Sequence, residues 1–344
     1  MKKKHIAVSG YYGFDNFGDE AILKVLTKEL KTSGFDVTVI SKNPQKTSEN
    51  LGVNSVYTFA IADIVKTLKT SDVLVSGGGS LLQDVTSLKS LFYYLFVISA
   101  ALILGKDVII FAQGIGPINN WFGRFLTKLC LKKCKYITVR DEKSLKRLQD
   151  WKLNPVLVSD PVWNVETAEY SHKNKVGIQL RSWDGLDIDY LRALAVQVLA
   201  EFKDKEICIY SFQDALDLKV CELFKSILTE LDRHAKVTVI PAMTIDETIQ
   251  SFACLDYLVA MRYHAVLLAL KYGIPTYAIS YDEKVEKIAK RFEIPYSNLN
   301  DSDTLLCNFK QILEIDTEKI KSKTRECAFD FEPFLNVLES INHQ

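Results

Sequence analysis

Asp256-Tyr257-Leu258-Val259-Ala260-Met261-Arg262-Tyr263-His264-Ala265-Val266-Leu267-Leu268-Ala269-Leu270, closed by Gly273-Ile274-Pro275, is the stretch that decides the fold. Its first five residues read as a short buried strand, and the run from Ala265 reads as an apolar helix that stops at Gly273. A strand turning straight into a helix is half of a parallel crossover unit, and the same unit recurs on either side. In the first half, strands are expected near 5–10, 36–41, 72–76, 107–112, 136–140 and 156–158, with helices near 19–33, 61–70, 87–104, 120–134 and 142–150. A second series places strands near 175–181, 206–211, 236–240, 256–260 and 275–279. The pattern predicts an α/β chain of two Rossmann-like, doubly wound parallel domains, with facing sheets that leave a central cleft. The polar segment Trp163 to Asn174 reads as a linker, which sets the domains at 1–162 and 175–325. The tail from Thr304 is expected to be largely helical. Its end, 326–344, carries Phe329, Phe331, Phe334 and Leu335, enough aromatic surface to pack back on the N-terminal domain.

With 344 residues, 48% hydrophobic and 25% charged, the chain is long enough for two cores. The net charge of zero hides an asymmetry: residues 1–158 hold 22 Lys and Arg against 13 Asp and Glu, and the remainder holds 21 against 30. The first half therefore favours anionic partners. Lys128, Lys132, Lys133, Lys135, Lys143, Lys146 and Arg147 concentrate that excess, as a solvated face or as a surface that meets anionic lipid or a phosphorylated acceptor. No nucleic-acid motif accompanies the charge, so nucleic acid is not an expected partner.

The start runs from Met1-Lys-Lys-Lys-His5 straight into a strand, without the apolar stretch of a secretory signal, so a cytoplasmic location is expected. Leu91 to Leu104 is too short to span a bilayer comfortably and reads as a buried helix. Cysteines 130, 134, 208, 221, 254, 307 and 327 show no paired metal spacing and read as reduced core residues. No ligand cluster calls for a metal.

Arg262 and His264 put a permanent cation and a proton-transfer group at the opening turn. Burying them needs an anionic partner. Either the partner is a carboxylate or phosphate ligand at the helix N-terminus, or the pair is satisfied by internal carboxylates.

In open parallel sheets ligands gather at the carboxyl ends of the strands, so the remaining loops matter most there. Glycines 10, 13 and 18 miss the dinucleotide spacing, which argues against a nicotinamide cofactor. Gly77-Gly78-Gly79-Ser80 lets backbone amides turn toward an anion or a sugar, or makes a tight structural turn. In Arg140-Asp141-Glu142-Lys143-Ser144, Asp141 suits a helix cap, and Arg140 either points into the cleft or pairs with a neighbouring carboxylate. Arg181 also ends a strand. Lys284 stands one crossover from His264, as a ligand contact or as an ordinary surface lysine.

Taken in order, Gly13-x-x-Asn16-x-Gly18-Asp19-Glu20, Gly77-Gly-Gly79-Ser-Leu-Leu-Gln83-Asp84, Gln113-Gly-Ile-Gly116-Pro117, Val139-Arg140-Asp141-x-x-Ser144, Ser159-Asp160-Pro161, Met261-Arg262-x-His264-Ala265 and Tyr281-Asp282-x-Lys284 resemble the polysaccharide pyruvyl transferases, specifically the CsaB-like branch. The resemblance runs from about residue 6 to about 290. One departure is Tyr263, where the family usually has Leu; it is expected to narrow the pocket and leaves both polar neighbours in place.

The resemblance implies a GT-B-like fold and transfer of pyruvate, as a ketal, from phosphoenolpyruvate to two hydroxyls of a sugar in a cell-wall or exopolysaccharide precursor, releasing phosphate. It implies no cofactor beyond phosphoenolpyruvate as co-substrate. Arg140, Arg262 and Lys284 are then the expected anion holders, and His264 the expected general acid for the methylene carbon. Asp19, or failing it Asp15 or Asp84, is the expected proton acceptor for the sugar hydroxyl. Gly78, Gly79, Ser80, Asn16 and Gln113 are expected to line the substrate site. Relatives act on N-acetylmannosamine-containing polymers, which implies a saccharide acceptor that is lipid-linked at the inner face of the membrane. A GT-B glycosyltransferase using a nucleotide sugar is the alternative, and a non-catalytic sugar-binding protein is a third reading that leaves His264 without a task.

Overall fold

The computed structural model describes residues 3–299 and 308–341. The chain divides into two compact units, Met1–Val165 with Ala328–Gln344, and Glu166–Cys327.

In the N-terminal unit, strands β1 (His5–Ser9), β2 (Asp36–Ser41), β3 (Asn54–Tyr57), β4 (Val73–Gly77), β5 (Asp107–Gln113), β6 (Tyr136–Val139) and β7 (Val156–Leu157) form one parallel sheet in the order β3-β2-β1-β4-β5-β6-β7. They alternate with helices α1 (Phe17–Thr32), α2 (Pro44–Leu51), α3 (Ile61–Thr70), α4 (Leu88–Ile103), α5 (Trp121–Leu131) and α6 (Glu142–Asp150). The central strands are buried along nearly their whole length, as strands covered by helices on both faces must be.

In the C-terminal unit, β8 (Lys175–Gln179), β9 (Glu206–Tyr210), β10 (Val237–Ile240), β11 (Tyr257–Ala260), β12 (Thr276–Ser280) and β13 (Tyr296–Asn298) form a second parallel sheet, ordered β10-β9-β8-β11-β12-β13. Helices α7 (Ile188–Glu201), α8 (Asp214–Leu231), α9 (Ile245–Phe252), α10 (Tyr263–Tyr272) and α11 (Glu283–Phe292) connect them. After Phe309–Glu314, a 3-10 turn, α12 (Thr317–Arg325) completes this unit, while α13 (Glu332–Ser340) belongs to the N-terminal one. Phe329, Phe331 and Phe334 hold the returning segment to Phe111 of β5, with ring centroids 5.1, 5.9 and 4.9 Å away.

Two short elements of the N-terminal unit do not show in the hydrophobic pattern. α2 starts with Pro44 behind the capping Asn43 and ends at Gly52, yet it buries only Thr47 and therefore carries no apolar stripe. β3 is a half-exposed edge strand with no alternation.

The linker expectation is altered as well, because Pro161–Asn164 forms a 3-10 turn whose Val162, Trp163 and Val165 are buried in the N-terminal unit. The tail's Thr304 to Cys307 lie outside the described residues. The described cysteines are free thiols, with Cys130, Cys208, Cys221 and Cys327 buried. Among the described residues no helix is long and apolar enough to cross a membrane. α4 is not wholly buried: Leu91, Leu95 and Ile98 face the core, whereas Phe96 and Ile103 are exposed.

Candidate active site

Both sheets reverse their winding at one point, β1 beside β4 in the N-terminal unit and β8 beside β11 in the C-terminal unit. At such a switch the loops leaving two adjacent strands diverge and open a crevice beyond the strand ends. The register brings Ser9 level with Ser76 and Gln179 level with Ala260, so the loops that follow begin side by side.

In the N-terminal unit those loops are Gly10–Asn16 and Gly78–Ser87. Asn16 caps α1 by accepting a bond from the Gly18 N–H at 3.1 Å. This puts Asp19 and Glu20 in the first turn, where the helix dipole favours negative charge. Asp19 is buried against the glycine loop. Gly79 has φ +66°, and a Cβ there would lie 2.3 Å from Asp19 Oδ1, so only glycine fits. Burial drives the Tyr12 and Tyr94 phenols far above their usual range, and the negative charge of Asp19 adds to both shifts.

Glu20 accepts a bond from the Gly13 N–H at 2.7 Å. Burial, reinforced by Asp19 and Asp15 and opposed by the Gly13 bond and by Lys46, pushes its carboxyl up to about 7. An acidic pair thus stands at the switch point with one member titrating near neutrality.

The neighbouring loop is fixed rigidly. Gly114 N–H donates to Gly79 O at 2.9 Å and Gly116 N–H to Leu82 O at 3.1 Å. The guanidinium of Arg147 bonds the carbonyls of Ile115 and Gly116, so this member of the basic cluster points inward. Asp141 caps α6 through the Ser144 N–H at 2.8 Å.

In the C-terminal unit, Arg262 is the residue before α10. Its backbone N–H donates to Gln179 Oε1 at 2.8 Å, and its guanidinium grips Asp217 of α8 with two bonds of 2.8 and 2.6 Å. Asp217, fully buried, also accepts from the backbone N–H groups of Phe212 and Gln213. His264 follows in the first turn of α10, its ring edge-on to Tyr263 with centroids 5.1 Å apart.

Arg181, two residues beyond β8, donates from Nη1 to the Tyr281 hydroxyl at 3.2 Å. Tyr281 lies just beyond β12, and β11 separates β8 from β12. The Arg181 side chain therefore crosses the end of β11, where Arg262 and His264 open α10. Its guanidinium lies 5.5 Å from the Trp183 ring and 5.4 Å from the Tyr281 ring. Among the described residues no carboxylate pairs with it, and its buried Nε bonds no protein group. Tyr281 is shifted upward by burial and by Asp282, with Arg181 and Arg262 both opposing, which places both cations near its hydroxyl.

Several of the other expected contact residues are already engaged within the protein. Arg262 is engaged by an internal acid, because a buried guanidinium fork is compensated only by a carboxylate of matching shape. Arg140 likewise bonds Asp160 at 2.7 Å with both side chains almost wholly buried, so it does not present its charge outward. Gln113 is fully buried and donates to Ser76 Oγ at 3.1 Å. β5 is irregular just before it, where Ala112 takes φ +45° and the register against β6 shifts.

Asp15 pairs with Lys46 at 2.6 Å on the surface. Asp84 is held below the usual carboxylate range by the N–H groups of Asn120 and Asn119. Lys284 is exposed in the first turn of α11, where Asp282 caps its N–H at 2.9 Å. Gly78, Gly79 and Ser80 follow β4 at the switch point, with Gly79 against Asp19. Among the described residues no three His, Cys, Asp or Glu side chains converge as metal ligands.

The sequence pattern by itself does not single out Asp217, Glu20 or Arg181 for this site. The signal for Asp217 was present: it falls on the stripe of α8 that carries Val220, Cys221 and Phe224, and a carboxylate on a buried stripe needs a cation.

The sequence pattern of the family described as polysaccharide pyruvyl transferase matches residues 16–283. No curated protein matches the sequence significantly. Among solved structures, a UDP-GlcNAc 2-epimerase from Neisseria meningitidis bound to UDP-GlcNAc is similar over 98% of this chain and 99% of its own, with a TM-score of 0.64 at 10% identity. HepE from Anabaena, in complex with UDP and glucose, covers 97% and 99% with a TM-score of 0.67 at 13% identity. A glycosyltransferase from Rickettsia africae covers 99% and 95% with a TM-score of 0.61 at 12% identity. At these identities the likeness is one of fold, that of the GT-B glycosyltransferases and epimerases. The family pattern spans most of the sequence, from the cap of α1 to the start of α11, and the chain belongs to the polysaccharide pyruvyl transferase family.

Proposed function

We propose that the protein transfers pyruvate from phosphoenolpyruvate to two hydroxyls of a cell-wall or exopolysaccharide precursor. The C-terminal unit would take the donor and the N-terminal unit the acceptor, with no resident cofactor. Membership of the pyruvyl transferase family supports the reaction. The observation that carries the donor assignment is Arg181, a cation without an internal carboxylate partner among the described residues, lying across the N-terminus of α10. A guanidinium and a helix N-terminus together match the carboxylate and phosphate of the donor.

In the reading put forward, His264 delivers a proton to C3 of phosphoenolpyruvate as a sugar oxygen bonds to C2, and the methylene becomes a methyl group. The first hydroxyl gives its proton to the Asp19 and Glu20 pair. The second hydroxyl then bonds to C2 as the C2–O bond to phosphate breaks, and its proton leaves with inorganic phosphate. Arg262, held by Asp217, positions the start of α10, and Lys284 opens the next helix of the same unit as a secondary cation. The acceptor is proposed to be lipid-linked. Gly78, Gly79 and Ser80 offer backbone and hydroxyl groups in the loop that meets Asp19 at Gly79, a composition that suits a sugar.

The test is incubation with phosphoenolpyruvate and a defined N-acetylmannosamine-containing disaccharide lipid, followed by mass spectrometry and a phosphate assay. A product heavier by one pyruvyl ketal, with one phosphate released per product, is expected. Release of UDP from a UDP-sugar without consumption of phosphoenolpyruvate would replace this reading with the glycosyltransferase one, which the fold also accommodates.

A further inference from the structure

We propose that the outer face of α5, with the adjoining side of α4, docks on the surface of an anionic lipid bilayer. Three observations lead there. α5 presents large apolar side chains to solvent: Trp121 is 75% exposed and Phe125 57% exposed, with Phe122 and Leu129 also outward. Spacings of one, four and eight residues put these on one helical face, the reverse of the core-facing pattern of Thr127, Cys130 and Leu131.

The face continues onto α4. Phe92 meets Phe122 with ring centroids 6.2 Å apart, and Ser99 Oγ lies 3.3 Å from Cys130 Sγ, so the side of α4 that carries residues 92 and 99 abuts α5. Phe96 and Ile103 lie on that same side by spacing, and Ile103 is 85% exposed. Apolar surface collected on two adjacent helices marks an interaction site, whereas scattered exposed residues would not.

Charge then selects the partner. The sequence has no Asp or Glu from residue 85 to 106 or from 108 to 140, so neither helix carries an acid. Lys128 and Lys132 continue the stripe of Phe125 and Leu129 toward the end of α5, and Lys132 and Lys133 are exposed. Aromatic side chains beside lysines, on two helices that carry no acid of their own, complement the interface of a bilayer with anionic headgroups. A second copy of the same face would bring lysine against lysine. With no helix among the described residues able to span a bilayer, the mode is contact along the surface.

This inference stands apart from the proposed chemistry, and its assay reads no turnover. The protein is mixed with large vesicles of phosphatidylcholine and phosphatidylglycerol, or of phosphatidylcholine alone, and sedimented at about 0.1 M salt, where surface charges are only partly screened. Binding to the anionic vesicles is expected, and salt of about 1 M should release the protein. Trp121→Ser with Phe125→Ser should weaken partitioning roughly tenfold or more through lost apolar contact. Lys128→Ser with Lys132→Ser should weaken it roughly 30-fold at about 1 kcal/mol per lysine.

Brominated phosphatidylglycerol should quench wild-type tryptophan fluorescence, and most of that quenching should vanish in Trp121→Phe, a reading on the parent fold. Absence of binding to anionic vesicles, equal binding to neutral ones, or retention by both double variants overturns the proposal. So does a dimer in sedimentation velocity that Trp121→Ser with Phe125→Ser converts to monomer, since a second copy would then own the face.

Discussion

Arg262 and Asp217 form a two-pronged ion pair, Nε to Oδ2 at 2.8 Å and Nη2 to Oδ1 at 2.6 Å, that ties the start of α10 to the first turns of α8. The guanidinium fork is therefore occupied within the protein, and its charge holds the backbone at a strand end in place. Removing the acid strands a buried cation. Asp217→Ala should lower unfolding free energy by about 3 to 5 kcal/mol, measured by urea denaturation. A loss below about 1 kcal/mol would show that water or another acid compensates Arg262.

Arg181 makes the opposite prediction. Its partners are a hydroxyl and two aromatic rings, so Arg181→Gln should leave stability nearly unchanged. Phosphoenolpyruvate affinity, measured by calorimetry without acceptor, should fall roughly 10-fold to 150-fold for one lost charged hydrogen bond. Unchanged affinity would remove Arg181 from the donor site.

His264→Ala tests the proton donor. Turnover should drop roughly 100-fold to 10,000-fold, while the donor KM moves little, because the cation that binds the anion is retained. Activity within a fewfold of the parent would reject the role.

Glu20 ties stability to pH. With its carboxyl raised from 4.5 to about 7, the folded state binds more protons than the unfolded state between those values. Stability should therefore fall as pH rises through that window and level off above about 7. Glu20→Gln keeps an acceptor for the Gly13 N–H and removes the titration. Denaturation at pH 5 and pH 8 should show the parent losing at most about 3 kcal/mol more than the variant over that interval. If the carboxylate also accepts the sugar proton, the acid limb of the pH–rate profile should have its midpoint near 7 and disappear with the variant.

Gly79 probes the glycine loop. Gly79→Ala imposes a left-handed backbone on a residue with a side chain and drives a Cβ against Asp19 Oδ1. A destabilisation of about 1 to 3 kcal/mol, read from thermal melts, is expected, together with loss of acceptor-dependent activity. An unchanged melt would mean that the loop relaxes easily.

Much of this protein was written in its sequence. Apolar runs such as Val73–Val75 and Leu258–Ala260, each followed by a helical period, specify parallel strands and crossovers because local hydrophobic spacing fixes secondary structure. The order of polar loops identified the family, since those loops lie at strand ends whatever the side chains do. Tertiary structure alone decided which cations face inward. The fates of Arg140 and Arg262 depend on Asp160 and Asp217, 20 and 45 residues away, and only folding sets those distances. The same holds for Gln113, whose amide meets Ser76 of a neighbouring strand, and for Arg181, whose reach across β11 exists only because the sheet changes its winding direction there. Sequence spacing encodes what is local; electrostatic pairing depends on separation in space.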